Sequence, residues 1–188
     1  MAHDFESLKD YLSELGTESV PHNHSDFLSH LVGTYLYLRR WNCPEHVVVA
    51  GLFHSIYGTH AFEDFSLPLS SRDEIRKLIG APAERLAYVY GALTGESFRA
   101  SVTEGGVARL WDRFADCRMD VTGQEFEDLL WVEFANIIEQ DERVMKGEST
   151  GSLKYSPFWQ AVAERLGGAA VESCREVYGS DSVHPNLS

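Results

Sequence analysis

The stretch HLVGTYLYLRRWNCPEHVVVAGLFHSIYGT, residues 30–59, decides the fold. It reads as the body of one helix, a tight turn at Asn42–Pro44, and a second helix. Ser25 or Asp26 supplies the cap of the first helix, which runs to about Arg40 and carries Leu28, Leu31, Val32, Tyr35, Leu36 and Leu38 nearly all round. A helix apolar on most sides belongs at the centre of a fold. Pro44 and Glu45 stand at favoured first-turn positions for the second helix, and VVVAGLFH then makes it the most hydrophobic segment of the protein.

Helical patterning continues on both sides. Residues 3–16 place Phe5, Leu8, Tyr11, Leu12 and Leu15 on one face, with Gly16 as the stop. About Gly58 to Ser71 reads as a loop, and SRDEIRKLI and PAERLAYVYGAL as two short helices. Residues 95–121 carry the weakest pattern and are read as a short helix at 105–112 with a small hairpin. Thr122 and Glu125 have capping-box spacing before the long helix FEDLLWVEFANIIEQDERVM, in which EQDER at 139–143 reads as an exposed end. Helices at 157–166 and 168–178 close the chain. No segment sustains period-two alternation, so the expectation is all-α: a single-domain bundle of about seven to nine helices over residues 1–188, with its core at about 24–145.

With 188 residues the chain can bury a core without disulfides or a structural metal. Its three cysteines, Cys43, Cys117 and Cys174, lack metal-type spacing and suit reduced thiols. The acidic N-terminus lacks a secretory signature, and the apolar run Val47–Phe53 is far too short to span a bilayer; a cytoplasmic protein is expected. Sixteen basic against twenty-nine acidic residues give a net charge of -13, which repels nucleic acid and anionic lipid. The expected partner is a small-molecule substrate, and the aromatic content is enough for a homodimer interface. No nucleotide-cofactor motif is present in the sequence.

His30 lies on the first central helix, on a stripe with Asp26 and Thr34, and His54 ends the core helix behind the small residues Ala50 and Gly51. A buried imidazole without a partner costs roughly 1–3 kcal/mol, and two of them in the most apolar helices point to a shared ligand or ion. His24 and His60 lie close enough in sequence to contribute; His3, His46 and His184 look peripheral.

The 30–59 block resembles the first two helices of the HD-domain superfamily of metal-dependent phosphohydrolases. There, a histidine on one helix and a His-Asp pair ending a later one bind a divalent metal with a distal aspartate. His30 matches the first histidine, His54 the histidine of the pair, and FANII at 134–138 the distal segment. The HLxGT and LFHSxYGT strings are closer still to an uncharacterised branch of that superfamily. The resemblance spans roughly residues 24–145.

Two departures matter. Ser55 stands where the superfamily has the aspartate of the pair, and Asn136 where it has the distal one. Hard divalent ions need carboxylates, so an ordinary phosphohydrolase is the least favoured reading. Two arrangements remain open. In one, His30, His54 and Glu133 hold iron or manganese as a two-histidine, one-carboxylate set. In the other, His30, His54, Asn136 and Tyr57 carry metal-free acid–base chemistry. Ser55, Thr59, Thr34, Arg72 and His24 are then the substrate-binding candidates, with Arg99 a further cation near a loop. Both predict a small-molecule enzyme of biosynthetic or tailoring type; the rival is a non-catalytic protein that binds a small ligand or partner.

Overall fold

Around the 30–59 block, the computed structural model describes residues 4–22, 25–103, 110–149 and 151–179. The chain opens with α1 (Phe5–Glu14), a 3-10 turn at Thr17–Ser19, and the two-residue strands β1 (Pro21–His22) and β2 (Ser25–Asp26), which pair antiparallel. The central helices are α2 (Phe27–Arg40) and α3 (Glu45–Phe53). After a loop come α4 (Arg72–Ile79), α5 (Ala81–Ala92) and α6 (Gly95–Thr103), then a second tiny hairpin of β3 (Trp111–Asp112) and β4 (Cys117–Arg118). The long α7 (Gly123–Met145) and the pair α8 (Pro157–Leu166) and α9 (Gly168–Tyr178) complete an all-α fold. Among the described residues no helix is long and apolar enough to cross a membrane.

Asp26 caps α2, accepting from the Ser29 amide at 2.8 Å and the Ser29 hydroxyl at 2.6 Å, so one of the four orphan N–H groups of the first turn is satisfied. The helix ends at Trp41, and Asn42 takes a left-handed φ of 54° to turn the chain into α3. Every residue of α3 from Val47 to Phe53 is buried, as its unbroken apolar run requires. It packs against α2, α5 and α7. Leu36 differs from expectation: α2 is apolar on nearly all sides, yet Leu36 is exposed.

The capping box at Thr122 and Glu125 is formed in both directions. At the other end of α7 the EQDER reading is overturned, because Glu139, Gln140 and Asp141 are all buried. Partners from elsewhere in the fold explain this: Asp141 accepts the backbone amides of Lys154 and Tyr155 and the Tyr178 hydroxyl, each at 2.8 Å. It thereby ties the α7–α8 loop and α9 to one buried carboxylate. The segment 95–121 also departs from its reading. α6 forms at Gly95–Thr103, where no helix was expected, and the hairpin is formed; of the helix expected at 105–112, residues 105–109 lie outside the described ones and Trp111–Asp112 are strand.

One glycine sets how closely α2 approaches α7. A Cβ on Gly33 would fall 2.6 Å from Cγ of Glu139, and that side chain is held from both sides by His30 and Arg143. Overpacking of this kind costs about 1–3 kcal/mol. Gly33→Ala is expected to lower stability by that amount in urea unfolding; an unchanged midpoint would mean that Glu139 moves aside freely.

Candidate functional site

α2 and α3 bring His30 and His54 together, both almost completely buried. Their Nε2 atoms are 3.3 Å apart and the rings meet edge to face, 5.2 Å between centroids. The other nitrogen of each ring identifies the tautomer. Nδ1 of His54 is 2.7 Å from the Gly51 carbonyl, which can only accept, so this nitrogen carries the proton. Nδ1 of His30 is 2.6 Å from Oε2 of Glu139. The other oxygen of that carboxylate accepts from Arg143 Nε, so His30 also donates from Nδ1. Two neutral rings in these tautomers direct Nε2 lone pairs at one another. Such a contact becomes favourable when a proton or another cation is shared between them. Burial, with the positive charges of Lys154 and Arg143, pushes His30 down to about 3.

His30 stands on the wall of a cavity of about 530 Å³, within the usual size range of small-molecule sites. Ser55 and Thr59 line the same cavity, with His60 beside them; His54 stands behind it, its ring 4.9 Å from that of Tyr90. Phe62, Leu93, Phe98, Leu129 and Ile137 supply apolar lining. The polar lining is a chain of hydrogen bonds. Lys154 Nζ donates to Gln140 Oε1, Gln140 Nε2 to Asn136 Oδ1 at 2.7 Å, and Asn136 Nδ2 to Glu133 Oε2 at 3.2 Å. The Tyr90 hydroxyl donates to the same Glu133 oxygen. Burial raises the Glu133 carboxyl and, helped by Glu133, raises Tyr90 well above the ordinary phenol value.

The cavity thus gathers His30, Ser55, Thr59, Asn136 and Glu133 from the sequence candidates. Three others lie elsewhere. Tyr57 donates to Glu84 at 3.2 Å, and Arg72 grips the same carboxylate at 2.6 and 3.1 Å while lying 3.6 Å from the Tyr88 ring centre. Both belong to a buried ionic cluster that joins α4 and α5 to the end of α3, and neither lines this cavity. Thr34 hydrogen-bonds back to the His30 carbonyl at 3.1 Å and packs at the α2–α3 crossing beside Gly51. Its hydroxyl is consumed within its own helix. His24 lies outside the described residues. Arg99 sits over the rings of Phe158 and Trp159.

The donor set can be tested against a metal. Among the described residues no three His, Cys, Asp or Glu side chains converge on one point. Glu133, read from sequence as a third ligand beside His30 and His54, is engaged by Tyr90 and Asn136. Asn136 turns its oxygen to Gln140 and an N–H to Glu133, so both ends of its amide are engaged. The arrangement does not fit a hard ion held by aspartates.

Sequence reasoning missed Glu139, Tyr90 and Lys154. Helical spacing held a partial signal for Glu139, three residues beyond Asn136. Tyr90 and Lys154 carried none, because only the packing of α5 and the α7–α8 loop against α7 brings them in.

No curated protein and no solved structure matches the chain. Residues 11–94, which run from within α1 to just beyond α5 and include both histidines, are similar to a family described as a domain of unknown function, DUF6817.

Proposed function

We propose that this protein is a small-molecule enzyme on a diverged HD-like scaffold, with His30 as its general acid–base group and His54 as the partner that shares its proton. One observation carries the reading: His30 lines a cavity of ligand size while its far nitrogen is held 2.6 Å from Glu139. A carboxylate behind an imidazole keeps it in one tautomer and orientation and stabilises the imidazolium formed during proton transfer. Isomerisation, dehydration or cyclisation of an organic substrate needs no more than this. Loss of such a group typically costs about 10²–10⁴ in rate. Incubation with a metabolite extract, followed by mass spectrometry, should show features consumed and formed by the wild type. His30→Gln should slow that conversion at least about a hundredfold while remaining folded. Ligand retained without conversion by the wild type would instead establish a non-catalytic binding protein.

A second reading has its own support in the 3.3 Å between the Nε2 atoms. Two nitrogens each about 2.0–2.1 Å from a tetrahedral ion stand about 3.3–3.4 Å apart, and ligating histidines characteristically donate their other N–H to a carboxylate or a carbonyl. His30 and His54 would then hold a borderline ion such as iron, which would polarise a substrate oxygen or a water. Stoichiometric metal in protein purified without chelator, lost in His54→Ala, supports this version; full conversion by metal-free protein ends it. Phosphoester hydrolysis is the weakest reading, since Ser55 and Asn136 are neutral, and no phosphate release from nucleotides with manganese is expected.

A further inference from the structure

Lys154 is, among the described residues, the one lysine or arginine that lines the cavity. It comes from the α7–α8 loop, and its backbone is fixed: its own amide and that of Tyr155 bind the two oxygens of Asp141 at 2.8 Å each. Its position is therefore set before any ligand arrives, which lowers the entropic cost of binding one. Its side-chain partner is the neutral amide of Gln140, and it forms no ion pair among the described residues. The nearby carboxylates are committed elsewhere: Glu133 to Tyr90 and Asn136, Glu139 to His30 and Arg143, Asp141 to the loop and Tyr178. These three acids favour the ammonium form and oppose the burial that lowers Lys154.

The hydrogen-bond chain gives this wall a direction. An ammonium has three donors and no acceptor, and one goes to Gln140. Asn136 is committed along the same chain, accepting from Gln140 and donating to Glu133. The Lys154 end of the chain therefore calls for an acceptor. A phosphate dianion is a poor match, because the carboxylates of Glu133 and Asp64 share the cavity lining with the single cation. The apolar lining residues Phe62, Leu93, Phe98, Leu129 and Ile137 ask for an apolar body.

We infer that the cavity selects an apolar ketone or aldehyde, with its carbonyl oxygen accepting from Lys154 Nζ. The inference rests on the reading of this cavity as the substrate site and names the class of substrate. A carbonyl is acceptor-only, and a charge-assisted hydrogen bond to it is stronger than a neutral one.

The test uses acetophenone, its carbonyl-free counterpart 1-phenylethanol, and phenyl phosphate, with dissociation constants measured by ligand-observed NMR. The wild type should bind acetophenone at least about fivefold more tightly than the alcohol and should not bind phenyl phosphate. Lys154→Met retains the backbone bond to Asp141 and is expected to fold; it should bring the ratio to about one. A ratio near one in the wild type, absence of binding, tighter binding of the phosphate, or a ratio indifferent to Lys154→Met each overturns the inference. If the ratio fails while extract conversion persists, the substrate class alone is wrong. If the ratio holds while conversion is absent, the carbonyl site stands and the enzyme reading falls.

Discussion

Arg72→Ala is expected to destabilise the protein by about 3 kcal/mol. Glu84 is 1% exposed and accepts from Arg72 at 2.6 and 3.1 Å, from Arg76 at 3.1 Å and from Tyr57 at 3.2 Å. Removal of the arginine leaves a buried carboxylate with the two weaker partners and discards the guanidinium stacked on Tyr88. Breaking a buried pair from one side costs about 3–5 kcal/mol; the lower end applies because Arg76 and Tyr57 remain. For a chain of this length each kcal/mol moves Tm by about 2–4 °C, so a fall of roughly 6–12 °C should appear in a thermal scan. Arg72→Lys keeps the charge without the fork and should lie between the two. A variant with wild-type Tm but weakened acetophenone binding would restore Arg72 to the ligand site and refute its structural role.

Acid should unfold the metal-free protein partly through His30. Its folded value is about 3, below the roughly 6.5 of an unfolded histidine. Between these values the unfolded chain binds the extra proton, so stability rises with pH through this window. The contribution is complete above about pH 6.5 and is lost as the pH falls toward 3. The slope approaches about 1.4 kcal/mol per pH unit, the value for one proton. Glu133, raised by burial, works in the opposite sense, and several surface carboxylates held low add to acid sensitivity. The His30 share is therefore read as a difference: stability against pH for the wild type minus that for His30→Gln, which can still donate to Glu139 but does not titrate. A flat difference between pH 4 and 6.5 would show that His30 is charged in the folded protein.

Both predictions depend on features that differ in how visible they are in the chain itself. The all-α architecture was legible because its signals are local. Asp26, Thr122 and Glu125 cap with side chains three residues away, and the apolar run Val47–Phe53 needs no distant partner to mark it as core. The meeting of His30 and His54 was also legible, since a short turn between two strongly apolar helices leaves few ways to pack them. In the segment 95–121 no period stands out, and α6 was not legible there.

The chemistry of polar groups was decided by tertiary structure. Tyr57 follows the core helix closely, yet Glu84 from α5 draws it into an ionic cluster; EQDER looks solvated, yet His30, the α7–α8 loop and α9 bury three of its residues. Apolar pattern places a residue inside or outside through its own solvation, a property each side chain carries alone. Where a charged residue resides depends on which opposite charge or hydrogen-bond partner reaches it. For Glu139, Tyr90 and Lys154 those partners come from elements 43 to 109 residues or one helical turn and a loop away, so only the packed fold could decide them.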